Sequence, residues 1–379
     1  MSSTSETLES DEREESDAYI RIRGLRKTFS RGTVVAVDDF DLEVDEDEFA
    51  VFLGPSGCGK TTTLRCISGL EIPDEGEVVI DGEDVTFAKP KDRDLAFVFQ
   101  NITLFPHMSV RENMRFGLDM KTNMSKAEKN QRVEETAELL GIEGMLDRAP
   151  SALSGGQQQR VSIGRAMVME PTAFLLDEPF ANLDANLRDR MQTEIKRLQR
   201  RLGKSMIFVT HDQEEAMTLG DKIVIMDDAE IQQVGTPYEI YNEPTNEFVA
   251  RFIGSPSTNM FESTIRRDGE DVWLVTDEFE FALPAEHAAK VSDYEGTPVT
   301  FGIRPEYMHV VEAGDGIFDA DIDVKELHGE HDAIYFTAGE FAFTVTEPQG
   351  TVRDIESTKG VDFDISKVWI FGPEGERLL

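Results

Sequence analysis

Two kinds of apolar pattern follow one another along the chain, and they predict two kinds of domain. Up to about residue 235, short apolar runs of strand character alternate with segments whose apolar residues recur every three or four positions, as on one face of a helix. Strands that alternate with helices predict a largely parallel sheet with ligand-binding groups at the carboxyl ends of its strands. The strand-like runs of this part are residues 49–53, 76–82, 94–100, 173–178, 206–210 and 222–226.

A small antiparallel strand group is predicted before the first of these runs, because three segments alternate between apolar and polar residues. These segments are 19–25, 33–37 and 40–44. Further along, Ser125 and Glu128 form a capping box, which predicts the start of a helix that Gly141 ends. A longer amphipathic helix is predicted from an apolar face that comprises Leu187, Met191, Ile195, Leu198 and Leu202.

From about residue 259 onward the pattern changes to short alternating runs, which predict a β-rich domain. The stretch before it has two short pieces of helical character and predicts a connection. The predicted organisation is a disordered acidic tail at 1–17, an α/β domain at 18–235, connecting helices at 236–258 and the β-rich domain at 259–379.

Length and charge narrow the class of protein. The 379 residues, of which 39% are hydrophobic, suffice for two or three domains with real cores. A disordered acidic chain is the alternative, but the hydrophobic content and 24 phenylalanines favour folded domains. The 75 acidic and 38 basic residues give a net charge of −37, which would repel nucleic acid and anionic lipid surfaces. Charge spread over the whole length resembles the acidic surface of proteins from salt-accumulating microbes, so we expect a halophilic source.

Two cysteines and the amino-terminal composition bear on the compartment. Cys58 and Cys66 are the only cysteines, which excludes a disulfide framework or a thiolate metal site. Residues 1–17 lack the basic and apolar regions of a signal peptide, and no apolar run approaches the ~18 residues that cross a bilayer. We therefore expect a cytosolic chain, or one that is bound to a membrane only through a partner.

The sequence GPSGCGKT at 54–61 lies between a strand-like run and an apolar-faced helix, which is the setting of a phosphate-binding loop. Its glycines permit backbone angles at which successive N–H groups converge on phosphate oxygens. Lys60 then reaches the β- and γ-phosphates, and the Thr61 hydroxyl binds the magnesium ion. A glycine-rich turn that binds nothing is the alternative. A dinucleotide fingerprint is excluded, because Thr62 stands where its third glycine belongs.

Two further motifs extend this site. Asp177 and Glu178 end a buried strand, which suits a magnesium aspartate and a general base that polarises the attacking water; a simple helix cap is the alternative. The segment LSGGQQQRV at 153–161 joins a two-glycine turn to a helix that Ser154 can cap, which makes a second anion-binding helix start. One site needs one phosphate cradle, so this segment is either an ordinary turn or acts on another molecule's nucleotide.

LSGGQQQR between a phosphate loop and LLDEP resembles the signature of ATP-binding cassette (ABC) proteins, over nearly the whole chain. The resemblance implies that Gln100 is the Q-loop glutamine, that Asp184 lies in the D-loop and that His211 is the switch histidine. It implies catalytic roles for Glu178, His211 and Gln100, and magnesium ligands at Thr61, Gln100 and Asp177. The residues implied to contact ATP are Phe29, Gly54, Pro55, Ser56, Gly57, Cys58, Gly59, Lys60, Thr61, Thr62, Ser154, Gly155, Gly156, Gln157 and Asp184. Phe29 stands where tyrosine or tryptophan is commoner, and Ala181 where serine is usual.

Residues 101–118 and 215–261 are similar to the ATPase subunits of maltose-type carbohydrate importers, and 302–306 and 325–336 are similar to their regulatory domain. The resemblance implies a P-loop NTPase cassette of the α/β class, with an antiparallel β subdomain and a helical subdomain, followed by an all-β OB-like regulatory domain. Polyamine, iron, sulfate and glycerol-phosphate importers share much of this layout.

The implied function is ATP hydrolysis that powers sugar import. Two copies, or one copy and a close paralogue, would sandwich two ATP molecules, with Ser154 and Gly156 of one chain closing the nucleotide of the other. The implied partners are two permease subunits, contacted near Gln100 and Phe105, and a solute-binding protein reached through the permease, which places the chain peripherally at the cytoplasmic face. The alternative is a soluble ABC ATPase that acts on DNA or ribosomes. The DNA-repair type needs a long heptad insertion, for which the roughly 117 residues between Lys60 and Asp177 leave no room. The ribosomal type needs two cassettes in one chain, whereas this sequence has one phosphate loop. A small-molecule kinase would also use the phosphate loop, but this interpretation gives no role to LSGGQ or to His211.

Overall fold

The computed structural model describes residues 18–181, 183–339, 341–353 and 357–379. The tail predicted at 1–17 lies outside the described residues. Within the described ranges, no helix is both long and apolar enough to cross a membrane. The chain divides into two compact units: the first holds the chain up to Ala50, Gly57–Val209 and Asp228–Glu230, and the second holds Val51–Ser56, Thr210–Asp227 and Ile231–Leu379.

Strands and helices alternate in the first unit, as the apolar pattern predicts. The strands, in chain order, are β1 (Ile20–Phe29), β2 (Val34–Val44), β3 (Phe49–Leu53, whose last three residues belong to the second unit), β4 (Glu75–Ile80), β5 (Glu83–Asp84), β6 (Leu95–Val98), β7 (Ala173–Asp177) and β8 (Ser205–Thr210, whose last residue belongs to the second unit). The helices are α1 (Lys60–Ser68), α2 (Val110–Lys121), α3 (Lys126–Leu139), α4 (Gly155–Met167) and α5 (Ala185–Leu202).

The predicted antiparallel group is a four-stranded sheet in the order β2-β1-β4-β5. The expectation of two separate strands at 33–37 and 40–44 was wrong, because both belong to β2. Leu25 of β1 pairs with Phe40, whereas Lys27 pairs with Val37, so β2 carries an extra residue at this point. Such a bulge bends a strand without ending its pairing, which the alternation of the sequence does not show.

Strands β6, β7 and β8 lie side by side and parallel, with Leu95 paired to Ala173 and Ala173 to Ser205. All residues of β7 and β8 are buried, as is typical of parallel strands covered on both faces. Because parallel strands end at the same edge, the residues that follow β6 and β7 come together there.

The helices α2, α3 and α4 pack around a small apolar core of their own that includes Met114, Val133 and Val161. The predicted capping box is present: the Ser125 side chain accepts from the backbone N–H of Glu128, whose carboxylate accepts from the N–H of Ser125. Gly141 follows the helix with a φ of 64°, a left-handed conformation that suits a glycine after a helix end.

The second unit contains helices and a β-rich region. Its strands are β9 (Lys222–Asp227), β10 (Glu230–Gly235), β11 (Asn259–Asp268), β12 (Asp271–Val275), β13 (Glu280–Ala282), β14 (Pro298–Ile303), β15 (Met308–Val311), β16 (Phe318–His328), β17 (His331–Ala338), β18 (Phe341–Pro348), β19 (Thr358–Phe363) and β20 (Trp369–Phe371). Its helices are α6 (Gln213–Leu219), α7 (Pro237–Asn242), α8 (Glu247–Phe252) and α9 (Ala285–Val291).

The strands from β11 onward form two antiparallel five-stranded sheets, in the orders β13-β12-β11-β14-β20 and β15-β19-β16-β17-β18. Aromatic side chains from both sheets share one core, in which the Phe279 and Phe318 rings stack with centroids 4.2 Å apart. Phe261 stacks on Phe301 with centroids 5.3 Å apart in the same core. Part of the phenylalanine content of the sequence therefore packs these two sheets together.

Candidate active site

The phosphate-binding loop leads directly into α1. Gly57 and Gly59 have φ values of 90° and 110°, in the region that glycine tolerates and other residues avoid. Gly59 is the N-cap of α1, and in the described structure no side chain caps this helix end. The N–H groups of the first turn are thus oriented as they are in an anion site. Lys60 is the first residue of the helix and is almost fully buried.

The Thr61 hydroxyl donates a hydrogen bond to Oδ1 of Asp177 over 2.8 Å, joining the start of α1 to the end of β7. Asp177 is only 5% exposed. Burial raises the pKa of the Asp177 carboxyl, and the Thr61 hydrogen bond and the charges of Arg65 and Lys60 oppose that rise. A hydroxyl beside a carboxylate is a set of hard oxygen donors, which Mg²⁺ prefers.

Glu178 follows Asp177 and has a φ of 41°, an uncommon angle for a residue with a side chain. Its backbone N–H donates to the carbonyl of Val209 on β8 over 3.0 Å, which holds this bend in place. Gln100, two residues beyond β6, donates from Nε2 to Oε2 of Glu178 over 3.0 Å. Three of the predicted site residues therefore meet at the carboxyl ends of β6 and β7, as the parallel arrangement requires.

The LSGGQ segment begins α4. Ser154 is the N-cap, and its side chain and that of Gln157 form a capping box, so their hydrogen bonds are made with each other's backbone. Gly155 is exposed, whereas Gly156 is buried against Leu187. An added Cβ at Gly156 would lie 2.6 Å from a Leu187 methyl carbon, so a residue with a side chain at this point would require the Leu187 side chain to shift.

The other predicted contacts have simpler surroundings. Asp184 caps α5 by accepting from the N–H of Leu187 over 3.0 Å. Phe29 ends β1 with a partly exposed ring, 5.4 Å from Nζ of Lys27. In the loop, Cys58 is buried and Thr62 half-buried. These positions show where the side chains lie, and their contact with nucleotide stays a prediction.

The second unit carries the remaining candidates. Gly54 is buried, Pro55 half-buried and Ser56 exposed. His211 is exposed and lies directly between β8 and α6. The next residue, Asp212, caps α6 through the N–H groups of Glu214 and Glu215.

Sequence reasoning missed two residues that hold the segment after Gln100. Buried Asn113 of α2 accepts from the N–H of Phe105 and donates to the carbonyls of Phe105 and Met108. Arg165 of α4 donates to the carbonyl and the hydroxyl of Thr103 over 2.6 and 2.9 Å. Asn113 fits the helical pattern of its segment, so no periodicity or motif distinguishes it.

Similar known proteins identify the family of this chain. The ABC transporter family matches residues 37–181, and the MalK OB fold domain family matches residues 254–308. The chain is 48% identical over 354 residues to a xylose/arabinose import ATP-binding protein, XacK of Haloferax volcanii, covering 92% of this chain and 91% of that protein.

The chain belongs to the ABC transporter ATP-binding proteins.

A second relative of this ABC protein is the trehalose/maltose import ATP-binding protein MalK of Thermococcus litoralis, 43% identical over 369 residues, with 93% of this chain and 97% of that protein covered. Among solved structures, the dimeric ATP-binding cassette MJ0796, bound to ADP and Pi in a post-hydrolysis state, matches with a TM-score of 0.52 and 32% identity over 57% of this chain and 98% of that one. The predicted fold class, an ABC cassette followed by an OB-like β domain, is confirmed, as is ATP hydrolysis coupled to transport.

Proposed function

We propose that this ABC protein hydrolyses ATP to power the import of a sugar, which is a pentose, a hexose or an oligosaccharide. The observation that carries this proposal is similarity over nine-tenths of the chain, through both domains, to proteins named for xylose/arabinose and trehalose/maltose import. Relatives named for sulfoquinovosyl glycerol and sn-glycerol-3-phosphate transport match at 42% identity and keep an alternative solute open. Polyamine, iron and sulfate import remain further alternatives.

The candidate residues divide the work of hydrolysis. The N–H groups at the start of α1 and the Lys60 ammonium bind the phosphates, since both present positive charge. Glu178 accepts the proton of the attacking water as general base. Gln100 orients the Glu178 carboxylate through its 3.0 Å hydrogen bond. On the family resemblance, we assign His211 to the γ-phosphate as the switch histidine.

Thr61, Asp177 and Gln100 would hold Mg²⁺, and the Thr61–Asp177 pair has the hard oxygen donors that fit this ion. When bound, the ion neutralises charge on the phosphates. Asp177 must be ionised to serve as a ligand. Because burial disfavours the charged form of this carboxyl and raises its pKa, ionising it costs free energy that a bound cation would offset.

Ser154, Gly155, Gly156 and Gln157 act on the nucleotide of a second ATPase subunit, either an identical chain or a close paralogue. The α4 start supports this assignment, because Ser154 and Gly155 are exposed while the helix itself is anchored through Gly156 on α5. The match to a cassette that is dimeric in its ADP- and Pi-bound structure also supports it. ATP then closes the dimer, and hydrolysis reopens it.

A surface for the permease lies near the segment after Gln100. Large apolar side chains are exposed on α2, at Met120 (72%) and Phe116, and directly before Gln100, at Phe99. Exposed apolar patches of this kind mark contacts with other proteins. The partners we propose are two permease subunits and, through them, a solute-binding protein, with the ATPase bound peripherally at the cytoplasmic face of the membrane. The charge of −37 supports the absence of nucleic-acid partners and a halophilic source.

Deletion of the gene in its host, followed by uptake of labelled solutes, tests the proposal. We expect loss of uptake of at least one among xylose, arabinose, glucose and maltose, restored by the wild-type gene and not by Lys60→Ala. Sulfate, iron, polyamine and glycerol-3-phosphate uptake serve as the comparison. Loss confined to one of these four would assign the chain to an alternative importer, and unchanged uptake of all solutes would contradict an import role.

A further inference from the structure

Gln213, two residues after His211, ties the start of α6 to the end of α8. Its Nε2 donates to the carbonyl of Phe252 over 2.5 Å, and its Oε1 accepts from the N–H of Gly254 over 2.8 Å. Both ends of one amide therefore hold the backbone of residues 252–254, about 40 positions further along the chain. These residues all lie in the second unit.

The segment that carries His211 is itself held by short local hydrogen bonds. The Thr210 hydroxyl donates to Oε2 of Glu215 over 2.6 Å and accepts from the N–H of Asp212 over 3.0 Å. Thr210 and Glu215 are both buried. Because these bonds fix the turn on both sides of His211, a displacement of Gln213 displaces the histidine with it.

Arg304, directly after β14, holds the same 252–254 segment from the side of the β sheets. Its Nη1 donates to the carbonyl of Ile253 over 2.6 Å and to the Thr258 hydroxyl over 3.2 Å, and its Nη2 donates to the carbonyl of Tyr241 over 2.6 Å. Its guanidinium carbon lies 3.7 Å from the centroid of the Tyr241 ring and 5.1 Å from that of Trp369 on β20. Arg304 is 1% exposed, and a buried cation with this many partners holds its neighbours in one arrangement.

Gly254 permits this close approach. Its φ is 122°, and an added Cβ would lie 2.6 Å from Nη1 of Arg304 and 3.1 Å from the carbonyl oxygen of Pro256. A residue with a side chain would therefore be strained and would push Arg304 away from the segment.

We propose that Gln213 is a positioning residue that couples His211 to the C-terminal β sheets through residues 252–254, with Arg304 as the anchor on the sheet side. This rests on the proposed function only in giving His211 a role at the γ-phosphate. A shift of the β sheets, such as binding of a regulator would cause, reaches His211 through two sets of direct hydrogen bonds. Gln213 thus sets the turnover rate rather than the affinity for ATP.

Steady-state ATPase assays of the full-length protein test the catalytic part. Gln213→Leu removes both hydrogen bonds at similar volume, and we expect kcat to fall about tenfold or more, with KM for ATP within twofold. Gln213→Glu, which still accepts from the Gly254 N–H, should fall between Gln213→Leu and wild type. The control is Gln131→Leu on α3, which removes an amide whose side-chain bond within the described residues is to exposed Glu135. A kcat for Gln213→Leu within twofold of wild type would overturn the catalytic role.

Hydrogen–deuterium exchange tests the coupling itself and needs no ATPase activity. We expect Gln213→Leu to speed exchange at both 211–216 and 252–254. Arg304→Lys, or Gly254→Ala if the lysine variant does not fold, should speed exchange at 211–216, although the bonds of Arg304 in the described structure are to Tyr241, Ile253 and Thr258. Unchanged exchange at 211–216 in the variants on the Arg304 side would contradict the coupling. A wild-type protein without ATPase activity would contradict the proposed function instead, and the exchange result would stand.

Discussion

Gln100 donates a hydrogen bond from Nε2 to Oε2 of Glu178 over 3.0 Å, which links the segment after β6 to the end of β7. Gln100 lies next to the proposed permease surface, and Glu178 is the proposed general base. The bond therefore joins that surface to the carboxylate that acts on water. Asn113 of α2 and Arg165 of α4 hold the 101–108 segment, so a movement of that segment reaches Glu178 through this hydrogen bond. We expect coupling between transport and hydrolysis to pass through this hydrogen bond.

Glu178→Gln tests the general base. The glutamine oxygen can still accept from Gln100, so the local geometry is retained while the base is lost. We expect turnover to fall by roughly 10²–10⁴ while ATP still binds. Glu170→Gln is a matched control, because Glu170 also has a left-handed backbone, with a φ of 50°, and contacts Arg132 at the surface. Near-normal ATPase rates in Glu178→Gln would remove Glu178 from the mechanism.

Asp177→Asn tests the cost of the buried carboxylate. Burial raises the pKa of the Asp177 carboxyl in the folded protein above its value in the unfolded chain. The folded protein is therefore fully stable with respect to this group below the unfolded-state pKa, and it loses stability as pH rises through the folded-state pKa. The nucleotide-free variant should therefore be more stable than wild type at pH 7, and the difference should shrink as pH falls toward about 4. Urea unfolding without nucleotide, with the exposed Asp315→Asn as control, measures it. A variant less stable than wild type at pH 7 would refute the argument.

Gly156→Ala tests the close packing of α4 on α5. The new methyl would lie 2.6–3.0 Å from the Leu187 side chain, and overpacking of this kind typically costs about 1–3 kcal/mol. Gly155→Ala is the control, because its methyl would meet Leu183 at an ordinary 3.8 Å. We expect a lower free energy of unfolding for Gly156→Ala alone, recovered in part by adding Leu187→Ala. Equal stability of the two glycine variants would show that Leu187 moves aside without cost.

The net charge of −37 predicts a dependence of folding on salt. As KCl falls from molar to about 0.1 M, the screening length grows from about 3 Å to about 10 Å and carboxylates repel one another over longer distances. We expect the purified protein to lose structure over this range, as followed by circular dichroism. A spectrum that does not change would rule out the halophilic interpretation.

Mixing two inactive variants tests whether each site is built from two chains. Lys60→Ala damages the phosphate loop and Ser154→Arg damages the signature, so each homodimer should be inactive. A mixed dimer has one site in which both halves are damaged and one in which both are intact. If that single intact site turns over, mixing should restore measurable ATPase activity.

Some cassette dimers need both sites to cycle, so ATP-dependent dimerisation by light scattering is the sharper measurement. Glu178→Gln is added to both chains to hold the closed dimer, and we expect dimers in the mixture at ATP concentrations where neither variant dimerises alone. Variants that dimerise equally well alone and mixed would contradict the shared site.

Features set by neighbouring residues could be predicted from the sequence. The capping box of Ser125 and Glu128, the glycines of the phosphate loop and the strand that ends at Asp177 depend on contacts within a few positions, where spacing determines geometry. The order of strands and helices then predicted which strand ends carry the candidate site. The family resemblance supplied the roles of Gln100 and His211, which spacing alone did not.

Only the tertiary structure decided the contacts between distant parts of the chain. The Thr61–Asp177 hydrogen bond spans 116 positions, and the bonds of Gln213 to residues 252–254 span about 40. Whether such groups meet depends on the course of each strand and on how closely helices approach one another. Bulges such as the one in β2 change the first, and contacts such as that of Gly156 with Leu187 set the second. Gln213 has no periodicity or motif that marks it, and Arg304 is distinguished only as part of the family-like stretch 302–306. The role proposed for both comes from backbone groups that the fold, and not the local sequence, brings within reach of their side chains.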